Sequence, residues 1–268
     1  MSDVWLVVGL GNPGPNYAHN RHNLGFMTVD ALAARAGASF VTRSHGRALA
    51  AAVRIGVMPG GAPGPRAVLA KPQTFMNLSG GPVAELAGYF GATPDTVIVV
   101  HDDIDLPAWE IRLKRGGGEG GHNGLRDISK ALGTKEYIRV RCGVGRPPGR
   151  QDAAAYVLAD FPASLRPDVA LLVDKAADAV ERVVLEGLGA AQLAFHTPPR
   201  SPSGDRLVGG STVPVCCVSA GESPAPTAST QAEGVVQHPP KGSGDDSPAA
   251  VDGESGGPET AREGGGPA

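Results

Sequence analysis

Aromatic side chains are absent from residues 197–268, where 24 of the 72 positions are Pro or Gly. A segment so composed cannot bury enough apolar surface to offset the entropy lost on ordering. Residues 197–268 are therefore expected to be a disordered, acidic, Pro/Gly/Ser-rich tail, with residues 1–196 as one folded domain. Cysteine is scarce too. Cys142 stands alone in the domain, and Cys216 and Cys217 are adjacent in the tail. That spacing suits neither a metal site nor a disulfide framework and points to a reducing, cytoplasmic setting. No stretch approaches the ~18 apolar residues of a membrane span, and Asp3 stands where a secretion signal would carry positive charge. A soluble protein without a membrane partner is expected. Charge of one sign is also not in excess. The tail holds 4 Lys plus Arg against 9 Asp plus Glu, net −5, which leaves +2 on the domain within a total of −3. A mildly basic domain above an acidic tail suits an anionic partner such as RNA, and suits an ordinary soluble domain equally well. There is no internal repeat.

What the domain does contain is an alternation of apolar segments. Strands are expected over residues 4–8, 48–57, 67–70, 97–100, 110–114 and 139–144, and helices over 24–36, 83–90, 125–132 and 165–188. The last helix is amphipathic, with Leu171, Leu172, Ala176, Ala179, Val180 and Val183 on one stripe. The order implies a single-domain, three-layer α/β sandwich in which helices flank a mixed, mostly parallel sheet. Residues 59–65, Pro-Gly-Gly-Ala-Pro-Gly-Pro, fit turns and read as an extended hairpin loop.

Five polar residues, Asn12, His22, Asn77, Asp102 and Asn123, each sit in a short Gly- or Pro-framed segment beside an apolar run. Loops at the carboxyl ends of strands carry function in open α/β sheets because the sheet fixes them while their side chains stay reachable. Gly9-Leu10-Gly11-Asn12-Pro13-Gly14 matches the dinucleotide-binding pattern literally, yet no apolar helix opens directly after it and no acidic residue ends a second strand at the required distance. His22 reads either as a helix-entry residue bonded to backbone or as a general base facing the Asn12 loop, if a carboxylate orients its other nitrogen. Asp102, at a strand end, is the candidate carboxylate. Asp102, Asp103 and Asp105 invite a metal, but strand alternation turns Asp103 away from Asp102 and no second ligand cluster follows. Ser79 suits the cap of the helix near Val83. Asn77 either belongs to that turn or offers a donor and an acceptor to an amide or ester, with Phe75 and Met76 as an apolar face. Arg112, Lys114 and Arg115 precede the Gly-rich run 116–124 and fit a solvated strand face and a polyanion site equally.

Taken in order, GLGNPG, RHNLG, TFMNLSG, HDDIDLP and GGGEGGHNGL resemble the motif series of bacterial-type peptidyl-tRNA hydrolases. The resemblance spans most of residues 3–196 and includes Phe161-Pro162. It implies a phosphorylase/hydrolase-like sandwich, with residues 1–196 as the catalytic domain of a monomeric cytoplasmic enzyme. The implied reaction is hydrolysis of the ester joining a peptide to the 3′ ribose of tRNA, with peptidyl-tRNA as partner, no cofactor and no metal. By motif, His22 resembles the catalytic base, Asp102 the residue that stabilises its basic form, and Asn12 the residue that distinguishes N-blocked from free aminoacyl-tRNA. Met76 belongs to the same apolar face as Phe75. Asn77 and Asn123 resemble residues that position substrate and water, Tyr17 and Phe75 contacts to the tRNA end, and Arg112, Lys114 and Arg141 phosphate-holding positions. Arg stands where the family often has Lys, and the two differ in geometry. The 59–65 loop looks longer than usual for the family, and its common short form lacks the tail. The rivals are an RNA-binding relative that has lost hydrolysis, which the complete polar set argues against, and an NAD-dependent oxidoreductase.

Overall fold

Seven segments become the strands β1 (Trp5–Gly9), β2 (Val41–Arg43), β3 (Ala48–Arg54), β4 (Arg66–Pro72), β5 (Val97–Asp103), β6 (Ile111–Arg115) and β7 (Ile138–Gly143). The structure is a computed structural model that describes residues 4–43 and 47–196, so the expected tail lies outside the described residues. The chain divides into units Met1–Asp205 and Arg206–Ala268, and every described residue belongs to the first. The strands form one mixed sheet in the order β2-β3-β4-β1-β5-β7-β6. β4, β1, β5 and β7 run parallel, while β2, β3 and β6 pair antiparallel with their neighbours.

Helices cover both faces, which is why the central strands read as unbroken apolar runs rather than as alternating ones. Val7, Ile98 and Val100 pack with α1 (Leu24–Arg35) and α5 (Arg166–Glu186). Leu6, Val8, Val97 and Val99 pack on the other side with α2 (Gly80–Phe90) and α3 (Asn123–Leu132). Successive residues of β1 and β5 thus enter different cores, as the two-residue strand period requires.

Several elements depart from the sequence-based expectation. β5 continues through His101, Asp102 and Asp103, although polar residues at its end hide the strand pattern. β3 stops at Arg54, and residues after it form a hairpin closed by a bridge between Val57 and Pro63. The expected 165–188 helix breaks at Gly187, where φ is 88°, and resumes as α6 (Leu188–His196). α4 (Ala153–Val157) and β2 were not expected. On α5, Leu171 is exposed while the rest of its predicted stripe is buried. Ser79 does not cap α2. Its hydroxyl donates back to the Met76 carbonyl, and the first N–H of α2, that of Gly80, donates instead to Asp127 of α3 at 2.7 Å.

The chain leaves β1 towards β2, β3 and β4, and crosses to β5 only after β4, so strand order reverses at β1. A crevice opens beyond the carboxyl ends of the strands at such a reversal. Here α1 is drawn tightly onto β1. A Cβ on Gly9 would lie 2.2 Å from the Gly25 carbonyl oxygen, and one on Gly25 would lie 2.3 Å from the Leu10 nitrogen. The glycines of the GLG segment therefore serve helix-on-strand packing rather than a pyrophosphate. On the outer edge of β6, the Leu113 N–H donates to His196 Nε2 at 2.8 Å and its carbonyl accepts from Gln192 Nε2 at 3.1 Å, both from α6.

Candidate active site

Residues 20–23, Asn-Arg-His-Asn, form a turn before α1 whose side chains tie it to three places. Asn20 donates to the Leu158 carbonyl, and Arg21 donates to carbonyls just beyond α4. His22 Nδ1 lies 2.8 Å from Asp102 Oδ1 at the end of β5. Asn23 Oδ1 accepts the Asn12 N–H at 2.9 Å, and its Nδ2 donates to the Asn12 carbonyl at 3.0 Å. The β1 loop is thereby latched to the turn. Asn12 Oδ1 in turn accepts the Met76 N–H at 2.8 Å, which fixes the amide so that Nδ2 is the group left to face the crevice.

Asp102 is 3% exposed, and its Oδ1 also meets His122 Nε2 at 3.3 Å. Burial alone would raise its pKa. The imidazoles of His22 and His122 outweigh that and hold the carboxyl well below the usual carboxylate range. An ionised carboxylate only accepts, so His22 Nδ1 carries a hydrogen towards it. Behind this pair lies His101, whose ring stands edge-on to His122 at 5.0 Å and whose Nδ1 is 2.7 Å from the Asp102 carbonyl oxygen. Complete burial, with His122 beside it, pushes the His101 pKa down to about 3. His101 is neutral at physiological pH.

These groups lie in a cleft of about 820 Å³. Asn12, His22 and Asp102 line it, and so do Tyr17, Phe75, Met76, Asn77 and Asn123. Tyr17 and Phe75 meet edge to face at 6.4 Å. Arg112, Lys114 and Arg141 do not line it. Arg112 and Arg141 face each other across the β6–β7 pairing. The Arg112 guanidinium pairs with Glu110 at 3.1 Å, and Arg141 pairs with Asp103, itself a cleft residue, at 2.8 Å. Lys114 is exposed two residues further along β6, opposite Arg139.

Sequence reasoning missed His101 and His122 as neighbours of Asp102, although both stand inside the quoted motifs. It also missed the wall formed by Ala153, Ala154, Val157 and Leu158. The signal for that wall was Asp152 ahead of three alanines, a cap whose Oδ2 accepts the Ala155 N–H at 2.9 Å. His22, Asp102 and His122 hold their ligand-type atoms within 4.8 Å of one another, close enough for a cation. The 2.8 Å between His22 Nδ1 and Asp102 Oδ1 is a hydrogen-bond distance. Two ligands of a tetrahedral ion bound at zinc-like distances would stand about 3.3 Å apart. The His22–Asp102 contact is closer than that spacing, and the His122 Nε2–Asp102 Oδ1 contact, at 3.3 Å, matches it.

A family model described as peptidyl-tRNA hydrolase matches residues 6–203. The chain is similar to a peptidyl-tRNA hydrolase of Kineococcus radiotolerans, 59% identical over 198 residues that cover 74% of this chain and 100% of that protein. It is also similar to one of Mycobacteroides abscessus, 55% identical over 194 residues covering 72% and 95%. Its fold is similar to the crystal structure of peptidyl-tRNA hydrolase from Acinetobacter baumannii, with a TM-score of 0.64, 32% identity, and coverage of 73% of this chain and 95% of that one.

Proposed function

The chain belongs to the peptidyl-tRNA hydrolase family, and from that premise we propose that it hydrolyses the ester between a peptide or N-blocked aminoacyl group and the 3′ ribose of tRNA. It thereby recycles tRNA from prematurely released peptidyl-tRNA. The observation that carries this reading is the 2.8 Å contact of His22 with the buried Asp102 on the wall of a cleft that also receives Asn12.

In this mechanism the lone pair on His22 Nε2 takes a proton from water as its oxygen attacks the ester carbonyl. Asp102 stabilises the imidazolium that results. The amide groups of Asn77 and Asn123 position the substrate and the water for that attack. The imidazolium then returns the proton to the departing 3′ oxygen. Asn12 Nδ2, already oriented, donates to the peptide group of a blocked substrate, a contact that a free aminoacyl group lacks. No metal takes part. Tyr17, Phe75 and Met76 pack against the end of the tRNA, and Arg112, Lys114 and Arg141 hold phosphate, with Arg112 and Arg141 exchanging their carboxylates for it. Residues 1–196 are the catalytic domain of a cytoplasmic monomer, followed over residues 197–268 by an acidic Pro/Gly/Ser-rich tail.

The test is release of free tRNA from N-acetyl-aminoacyl-tRNA and from unblocked aminoacyl-tRNA, with and without EDTA. EDTA-resistant release from the blocked substrate alone is the expected result. Binding of tRNA without release would make the protein an RNA-binding relative that does no hydrolysis, and loss of activity in EDTA would return His22, Asp102 and His122 to the role of metal ligands.

A further inference from the structure

Arg21, next to the proposed base, is 9% exposed, and among the described residues its guanidinium meets no carboxylate. A buried guanidinium without a counter-ion is costly unless its donors find acceptors. Here Nη1 faces the carbonyls of Ala159 at 3.0 Å, Asp160 at 3.1 Å and Tyr156 at 3.3 Å. The same guanidinium lies 4.2 Å from the centre of the Tyr156 ring and 5.0 Å from that of Phe161. Three carbonyls and two ring faces take the place of an ion pair.

What Arg21 holds is the α4 wall of the cleft. α4 is five residues long and none of them is fully buried, so helix propagation does not keep it in place and its apolar seat on the core is Tyr156. It presents Ala153, Ala154 and Val157 to the cleft. Its polar anchors lie almost wholly on residues 19–21. Asn20 bridges Asp160 and donates to Leu158, the Arg21 N–H donates to Ala159 at 3.3 Å, and the Phe161 N–H donates to His19 at 3.1 Å. A further anchor is the Tyr156 hydroxyl on the Val144 carbonyl at 3.0 Å. His22 follows Arg21 directly, so displacement of one moves the other.

We infer that Arg21 is a positioning residue that couples the α4 wall to the turn carrying His22, so that one side chain sets both the room for the peptidyl group and the aim of the base. This rests on the hydrolase reading for its substrate, and on geometry alone for the coupling. A misplacement of about 1 Å at a reacting centre costs up to about 100-fold.

The experiment compares wild type, Arg21→Met and Arg21→Lys on N-acetyl-aminoacyl-tRNA and N-acetyl-tripeptidyl-tRNA, with amide hydrogen exchange on each free protein. Arg21→Met is expected to lower kcat/KM by ~10- to 100-fold. The rise in KM should be larger for the longer peptide, and faster exchange should be confined to residues 20–23 and 153–161. Arg21→Lys keeps a charged donor near the carbonyls and should recover at least part of the KM. A Met variant with a lower Tm but unchanged KM, kcat and local exchange would overturn the inference, as would a Lys variant with wild-type stability and no recovery. If the Met variant does not fold, the Lys variant decides by the same two readouts. If wild type releases no tRNA the hydrolase reading fails, while exchange at 153–161 still decides the coupling.

Discussion

At the floor of the cleft, Asn12, His101 and Asp102 are buried and bonded to protein; at its rim, Phe75, Asn77 and Asn123 are exposed. The floor groups have their orientation before any substrate arrives, so nothing need reorganise when charge develops. Rim groups acquire theirs only against a ligand and lose conformational freedom in doing so. Changes to the floor should therefore appear in kcat, and changes to the rim in KM.

The sharpest way to break this contrast is His22→Ala. Loss of the base should lower kcat by ~100- to 10,000-fold, with the fold retained because His122 still donates to Asp102. Single-turnover release of tRNA measures it, and wild-type turnover in the variant would remove His22 from the chemistry. Next comes the pair Asn12→Ala and Asn77→Ala. The first strips the Met76 N–H of its acceptor, which costs roughly 1–3 kcal/mol of stability, and it should depress kcat. The second should raise KM by only a few fold, of the size of one modest hydrogen bond. Identical, KM-only effects would mean that floor and rim do not differ.

A smaller effect concerns His101. Its folded pKa is about 3, against about 6.5 in an unfolded chain. Between those values the unfolded chain binds the extra proton, so this stabilisation is complete above about pH 6.5 and is lost as pH falls towards 3, at about 1.4 kcal/mol per pH unit. Asp102, held below the usual range, adds a slope of the same sign only below about pH 4. His101→Gln should flatten denaturation midpoints between pH 4 and 6 by about one proton's worth. An unchanged slope would mean that His101 is not the group titrating.

Much of this site was legible in the sequence. The strand-end loops of β1, β4 and β5 are marked by Gly, Pro and polar residues directly after apolar runs, and they converge because those strands are neighbours. His122 was harder. Its approach to Asp102 depends on the path of the 116–121 loop, which Arg139 fixes by donating to the Gly117 and Gly118 carbonyls, a contact more than twenty residues away in sequence. The start of α2 was misjudged for a similar reason, since its first donor is answered from α3 rather than by the nearby Ser79. α4 and α6 are short and seat few apolar residues on the core, Tyr156 for α4 and Leu188, Ala191 and Phe195 for α6, too few for a periodicity to announce.

The contacts of α6 with Leu113 bear on self-association. An outer strand with open amide and carbonyl groups is a template on which a second molecule can add its own strand, and such additions propagate. By occupying both groups of Leu113, His196 and Gln192 blunt that template. The block depends on an unprotonated His196, and burial, with Arg112 nearby, lowers its proton affinity and keeps the acceptor available at neutral pH. Acidification should withdraw it. Light scattering should then rise on acidification in the wild type and already at neutral pH in the double variant His196→Ala, Gln192→Ala; a double variant that stays monodisperse would show the edge to be harmless.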